Sequence, residues 1–262
     1  MARQDRRRVR LVGGVARQAA IPETLAILAR MTSQPTQALA DLLDDWVRAV
    51  RDGGVLSKLD GAYWHNLHDA QAAGLNLVAA GAVTLVGTVG HVYKQGFTGD
   101  GVDDYIDYNR DIGGSLTNFK QNTACLIGMD HTNNTGGASL GISGSADLRL
   151  LARNGSDLAT CRINGTGNVS GPCTDSRGVT AVNRSAASGT GCVQLYKNGV
   201  QIGTANTASV VLTGNLLGLR SQTAYSNRTS KFAALGRSLT AAEHQLLATA
   251  CLAFEAGVNA LP

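Results

Sequence analysis

The sequence predicts a mainly β fold: a two-sheet sandwich or jelly roll, with a helical segment before it and a helix closing it. Three observations carry that expectation. Beyond residue 60, short apolar runs recur at roughly ten-residue spacing, each bounded by Gly, Asn, Asp or Ser, which is the rhythm of short strands joined by turns. The stretch 193–202 sets Asn198-Gly199 between two alternating segments, and both residues tolerate the positive φ of a type I′ hairpin turn. Glycine is abundant, 32 of 262 residues, against 4 prolines. The glycines keep no regular period, which excludes a collagen-like chain.

Residues 1–20 read as a basic arm. Arg3, Arg6, Arg7, Arg8, Arg10 and Arg17 crowd it without any core-forming period, so docking on a partner is what would order it. The formal net charge of +4 is a property of this arm and not of a face on the folded part. A helix is expected over 22–31, with Pro22 at its first position and Glu23 near its positive end. After the break at 32–36, Leu39, Leu42, Leu43, Trp46, Val47 and Val50 fall at helical spacing as one apolar stripe, and Gly53-Gly54 ends the helix. The stripe through Leu39, Leu43, Trp46 and Val50 is expected to bury in a homo-oligomeric or particle interface. Segment 21–60 is therefore assigned to anchoring and oligomerisation, and 61–262 to the sandwich. Within the sandwich unit, 240–257 is the closing helix, with Thr240 and Glu243 as a capping box and Gly257 as its stop.

Strands are expected at 83–89, 105–108, 124–129, 139–142, 148–152, 179–183, 192–197, 200–204, 210–212, 216–219 and 230–235. No run reaches the roughly 20 apolar residues of a membrane span. The basic start is followed by a stretch broken at Gly13, Gly14 and Arg17, unlike a secretory leader. The five cysteines (Cys125, Cys161, Cys173, Cys192, Cys251) include no Cys-x-x-Cys pair. They fit buried thiols in a chain folded in a reducing cytoplasm, with a Cys161–Cys173 bridge as the alternative.

Three polar stretches are candidates for chemistry. His65-Asn66-Leu67-His68-Asp69 has an i, i+3 histidine pair but lacks the glutamate of a zincin motif and a third ligand, so hydrogen bonding or an interface is the favoured role. Asp100, Asp103 and Asp104, with Asp107 beyond them, offer oxygens to a calcium ion, although the spacing is not that of an EF-hand; a solvated loop is the alternative. Loop 130–137 is rich in groups that recognise hydroxyls. Asp130, His131, Asn133 and Asn134 are its candidate carbohydrate contacts, and 164–178 is a second loop of the same kind. The aromatic content, 5%, leaves few stacking platforms for a sugar.

Jelly-roll glucanases carry catalytic glutamates close together on one strand, whereas Glu23, Glu243 and Glu255 fall on expected helices here. No nucleophile elbow, Walker loop or dinucleotide fingerprint is present. The expectation is thus a chain that is not an enzyme and takes no cofactor, calcium being the one candidate ion. The arm lacks interleaved aromatics or a recognition helix, so no specific nucleic-acid binding is expected. Docking on an acidic partner surface is preferred.

Leu195-Tyr196-Lys197-Asn198-Gly199-Val200 resembles a hairpin of laminin-G-like and concanavalin-like jelly rolls. Phe232-Ala233-Ala234-Leu235-Gly236-Arg237-Ser238-Leu239-Thr240-Ala241-Ala242-Glu243 resembles their last core strand and closing helix. Gly96-Phe97-Thr98-Gly99-Asp100-Gly101 with Tyr105-Ile106-Asp107 resembles their opening strand. The resemblance implies a laminin-G/concanavalin-like β-sandwich, and such domains often bind calcium.

Ala29-Arg30-Met31-Thr32, Leu56-Ser57-Lys58-Leu59-Asp60 and His68–Asn76 look like virion proteins of tailed phages and prophages of alphaproteobacteria, although those often carry a Trp where this chain has Leu77. That likeness implies a virion structural protein of capsid-decoration, head-fibre or tail-fibre type, assembled in the bacterial host cytoplasm. The implied partners are other virion proteins of capsid or tail, further copies of the chain in a homo-oligomer such as a trimer, and host-surface glycan. Fold alone does not fix which of these holds.

Overall fold

The computed structural model describes residues 19–114, 116–145 and 147–262. The arm carrying Arg3, Arg6, Arg7, Arg8 and Arg10 lies outside the described residues. The described residues begin with α1 (Pro22–Leu28) and α2 (Gln37–Asp52), followed by β1 (Leu59–Trp64) and the single turn α3 (Ala70–Ala73). Next come β2 (Thr84–Val86), β3 (Gly90–Val92), β4 (Gly96–Thr98), β5 (Tyr105–Asp111), β6 (Ala124–Asp130), β7 (Leu140–Ile142), β8 (Arg149–Leu151), β9 (Leu158–Arg162) and β10 (Val169–Pro172). The remainder is β11 (Gly178–Arg184), β12 (Val193–Lys197), β13 (Val200–Ala205), β14 (Asn215–Gly218), β15 (Arg220–Ser221), β16 (Ala224–Tyr225), β17 (Thr229–Gly236) and α4 (Ala241–Ala260).

Fifteen of these strands make two antiparallel sheets, and β15 pairs with β16 in a separate hairpin. One runs β13-β12-β11-β6-β17-β4-β3, with β1 paired to the C-terminal half of β17; the other runs β10-β9-β8-β7-β14-β5-β2. The fold is a jelly-roll-like β-sandwich, and its helices pack against the outer face of the first sheet.

That helical layer explains why β1, β6 and β17 are buried at every position. A strand covered on both faces has no polar face to alternate with. On β1, Tyr63 points into the sandwich and meets Tyr108, ring centroids 4.8 Å apart. Its neighbour Trp64 points the other way. It packs on Trp46 of α2 at 5.9 Å, Phe232 of β17 at 4.6 Å and Phe254 of α4 at 4.3 Å. β1 was missed in the strand expectations because Asp60 and Gly61 interrupt its apolar run.

The apolar stripe of α2 requires a correction. Leu39, Leu43, Trp46 and Val50 are all buried within the chain, none more than 2% exposed. They lie against α4 and the first sheet, so they offer no surface to a partner. The physical reason is that α4 and β1 already supply an apolar counter-face of matching size. Helices and sandwich share one contiguous core, and β1 already begins at Leu59.

Thr36 caps α2 by accepting from Leu39 N, and the Thr240–Glu243 capping box opens α4. The expected stop at Gly257 does not occur: α4 continues to Ala260. A Cβ at Gly257 would lie 2.5 Å from Leu42 Cδ2, so this glycine serves the close approach of α4 to α2 and not a terminus. The Asn198-Gly199 turn has φ of +48° and +83°, as its sequence requires. Residues 210–212, expected as a strand, form part of a loop.

All five cysteines are free and buried. Burial pushes the Cys161 and Cys251 thiols up to about 12 and Cys125 further still, which keeps them protonated and inert.

Candidate ligand-binding site

Register fixes which loops meet. Asp130 pairs with Gly178 and Ser230, Thr98 with Thr229, Leu140 with Gly218, and Ile106 with Gly218. The connections 99–104, 131–139, 152–157, 173–177 and 219–228 therefore collect at one end of the sandwich. Two candidate sites thirty residues apart in sequence, the acidic loop and the polar loop, are brought together there.

The organiser of this end is Arg228, a fully buried side chain. Its Nη1 pairs with the Asp130 carboxylate, which is buried as well. Its Nε donates to the carbonyls of Gly136 and Gly137 at 2.7 and 2.9 Å, and its Nη2 to those of Asn134 and Arg153 at 2.7 and 2.8 Å. One guanidinium thus fixes the backbone of two loops. Burial pushes the Asp130 carboxyl up, against the pull of Arg228 and Ser139.

Ser176, also buried, adds a second tie. Its Oγ donates to Thr132 O at 2.9 Å and accepts from Asn134 N at 2.8 Å. Asn133 Oδ1 accepts from Ser176 N and from Arg153 Nη1, at 3.0 and 2.8 Å. Asn134 Nδ2 donates to Asn227 Oδ1 at 2.9 Å.

Asp130 lies beneath the loop, and the Asn134 amide is spent within it. Asn133 Nδ2 donates to Thr174 O at 3.3 Å, so that amide is spent as well. The exposed side chains without a hydrogen bond among the described residues are those of Thr132 and Thr135, beside the half-buried His131, whose Nδ1 is buried without a partner. Burial and the nearby Lys231 hold the His131 imidazole below its ordinary range.

Asn227 links the two loops. A Cβ at Gly101 would lie 3.6 Å from Asn227 Cβ. In the acidic loop, the carboxylates of Asp100, Asp103 and Asp104 have oxygens within 4.8 Å of one another. Asp100 Oδ1 accepts from the backbone N–H groups of Val102, Asp103 and Asp104, which hold its carboxyl below the usual range. Asp104 is buried and accepts from Thr88 N; Asp103 is exposed. Three carboxylates with free oxygens form a hard donor set that fits calcium better than a thiophilic metal. Asp107 stands apart, bonded to Asn215.

Two other sequence candidates separate in space. His65 is buried in the sandwich, with Nδ1 2.9 Å from Ser230 Oγ, while His68 turns outward to Ser33. The pair does not converge on one point. The stretch 164–178 is not one loop, because β10 runs through it. Asn164 lies at the far end, with its amide on Lys120 O and Gln121 O.

Arg228, Ser176 and Asn227 were missed by the sequence reading. Each acts through partners more than forty residues away, and an isolated Arg, Ser or Asn in a polar stretch carries no local signal.

No family model matches the chain, and no curated protein matches it. Among solved structures, the sialidase of Trypanosoma rangeli in complex with 2,3-difluorosialic acid is similar at a TM-score of 0.50 and 12% identity, over 82% of this chain and 40% of that one. The same enzyme with sialic acid gives 0.50 and 11%, over 81% and 39%. The fold is shared. This chain spans less than half the length of the sialidase. Domain 4 of a GH43 extracellular arabinanase from Geobacillus stearothermophilus, in complex with arabinotriose, is more distant at 0.44 and 13%, over 73% and 98%.

These likenesses correct the expectation that the chain is not an enzyme: its sandwich fold is part of sialidase chains.

Proposed function

We propose that this protein is a virion structural protein of the decoration or fibre type, whose sandwich holds host-surface glycan with the loops at the Arg228 end. The observation that carries the glycan reading is the set of hydrogen bonds from Arg228 and Ser176 to loop 131–137. Arg228 and Ser176 hold its backbone and Asn133 is bonded to Thr174, Ser176 and Arg153, which leaves the Thr132 and Thr135 hydroxyls toward solvent beside half-buried His131. A polar surface that is already ordered loses little conformational freedom on binding a sugar.

The virion setting rests on the likeness of 29–32, 56–60 and 68–76 to phage proteins. In that setting the arm with Arg3, Arg6, Arg7, Arg8 and Arg10 docks on an acidic surface of capsid or tail proteins, and copies associate as a homo-oligomer, a trimer among the symmetric options. With the α2 stripe buried, attachment falls to the arm and to the outer surfaces of the helices. Asp100, Asp103 and Asp104 would hold calcium, which would neutralise the acidic loop beside the glycan surface.

The test is binding of the full chain to immobilised host capsular polysaccharide, with and without chelator. Saturable binding that weakens when His131 and Thr132 are replaced by alanine supports the reading. Absence of binding by the well-folded chain overturns it.

A further inference from the structure

Two of the six tyrosines meet on the outer face of the second sheet, beside the loops described above. Tyr105 opens β5 and Tyr225 ends β16, with ring centroids 6.2 Å apart and planes at 48°. Arg220 of β15 lies over both rings, its guanidinium carbon 4.6 Å from the Tyr105 centroid and 4.9 Å from that of Tyr225. All three side chains are half-buried. Arg220 Nε donates to Gln222 O at 2.7 Å. Among the described residues, its two terminal nitrogens have neither a hydrogen bond nor a carboxylate partner.

This guanidinium is held in place from several directions. The hairpin 220–225 is pinned to β7 by Gln222 N donating to Ile142 O at 2.8 Å, and the preceding Leu219 N donates to Ser139 O, just before β7, at 2.9 Å. Gly141 of β7 makes room for it: a Cβ there would meet Ser221 Cβ at 2.6 Å. Leu219 and Gln222 both take positive φ, +62° and +52°, a conformation uncommon for side chains of these types. The result is an arginine whose orientation is set while its fork of four N–H groups stays open.

We propose that Tyr105, Arg220 and Tyr225 form a subsite for a sugar bearing a carboxylate; this rests on the glycan-binding reading above. A planar guanidinium binds a carboxylate through two parallel hydrogen bonds. The flanking rings offer apolar edges to the C–H face of a pyranose, and their phenol hydroxyls have no protein partner among the described residues. Asp107 lies two residues from Tyr105 on the same face of β5. Its negative charge disfavours a dianionic phosphate and leaves a singly charged carboxylate as the better fit.

The test is calorimetric titration of the full chain with two acidic probes, trigalacturonate and sialyllactose, and with their methyl esters. At least one acid should bind saturably. Its ester should bind about tenfold more weakly, the loss expected of one charge-assisted bidentate pair. Arg220→Lys should lose a similar factor while its melting temperature stays unchanged. The ester arm uses unaltered protein, so a folding defect cannot produce it. Equal binding of acid and ester, or no binding of either acid at millimolar concentration, overturns the subsite. Capsule binding that persists in Arg220→Lys and is lost when His131 and Thr132 are replaced separates failure of this subsite from failure of the glycan reading.

Discussion

Arg228 and Asp130 form an ion pair with no solvent access, although 98 residues separate them in the chain. The pair joins the end of β6 to the start of β17, two adjacent strands of the first sheet, and the remaining N–H groups of Arg228 hold the loop that follows β6. Replacing Arg228 with Met would leave the Asp130 carboxylate buried and four carbonyls without donors. The expected loss is about 3–5 kcal/mol, read from urea unfolding. Arg228→Lys should fail to rescue it, since an ammonium cannot reach four carbonyls and a carboxylate in one plane.

Acid should destabilise the protein through two buried imidazoles. Burial lowers His65 to about 3 and His244 to about 4, whereas in the unfolded chain both titrate near 6.5. The unfolded state therefore binds more protons below pH 6.5. Stability is full above that value and is lost as pH falls toward 4 and then 3. At pH 5 each histidine costs about 2 kcal/mol relative to pH 7. His244 stacks on Tyr196 at 4.1 Å, so His244→Phe should keep the packing and flatten the pH dependence of the urea midpoint by its share.

Calcium should raise the melting temperature if the acidic loop binds it, because a ligand of the folded state alone stabilises by mass action. Asp103 is exposed, so Asp103→Asn should leave the calcium-free melting temperature unchanged and abolish the shift. An unchanged shift in Asp103→Asn would place calcium elsewhere.

Trp46 is a core residue, edge-on to Trp64 and Phe232. Trp46→Ala should cost about 3–5 kcal/mol, as removal of a buried aromatic does. Sedimentation of the folded fraction should show no change of oligomeric state, since the residue is buried within its own chain.

Much of the fold is legible in the sequence where local chemistry decides it. The Asn198-Gly199 turn, the Thr240–Glu243 capping box and the strands that became β5, β6, β11, β12, β13 and β17 all follow from short-range pattern. Patterns that depend on what lies opposite are not legible in this way. The α2 stripe announces that it must be buried but not against what, and only the fold shows that α4 and β1 are its cover. Gly257 reads as a stop because a glycine near a helix end has two meanings, and the approach of Leu42 selects the other. The candidate site was half legible: the loops 100–104 and 130–137 stand out by composition. Their convergence, and the roles of Arg228, Ser176 and Arg220, arise from register between distant strands.

The most direct test of the glycan surface is equilibrium binding of the full chain to intact host cells, with and without capsule, beside the variant carrying His131→Ala and Thr132→Ala. The account predicts saturable, capsule-dependent binding that falls about tenfold in the variant, the loss of one or two hydrogen bonds to the ligand. Binding that ignores the capsule, or that is equal in the two proteins, would contradict it.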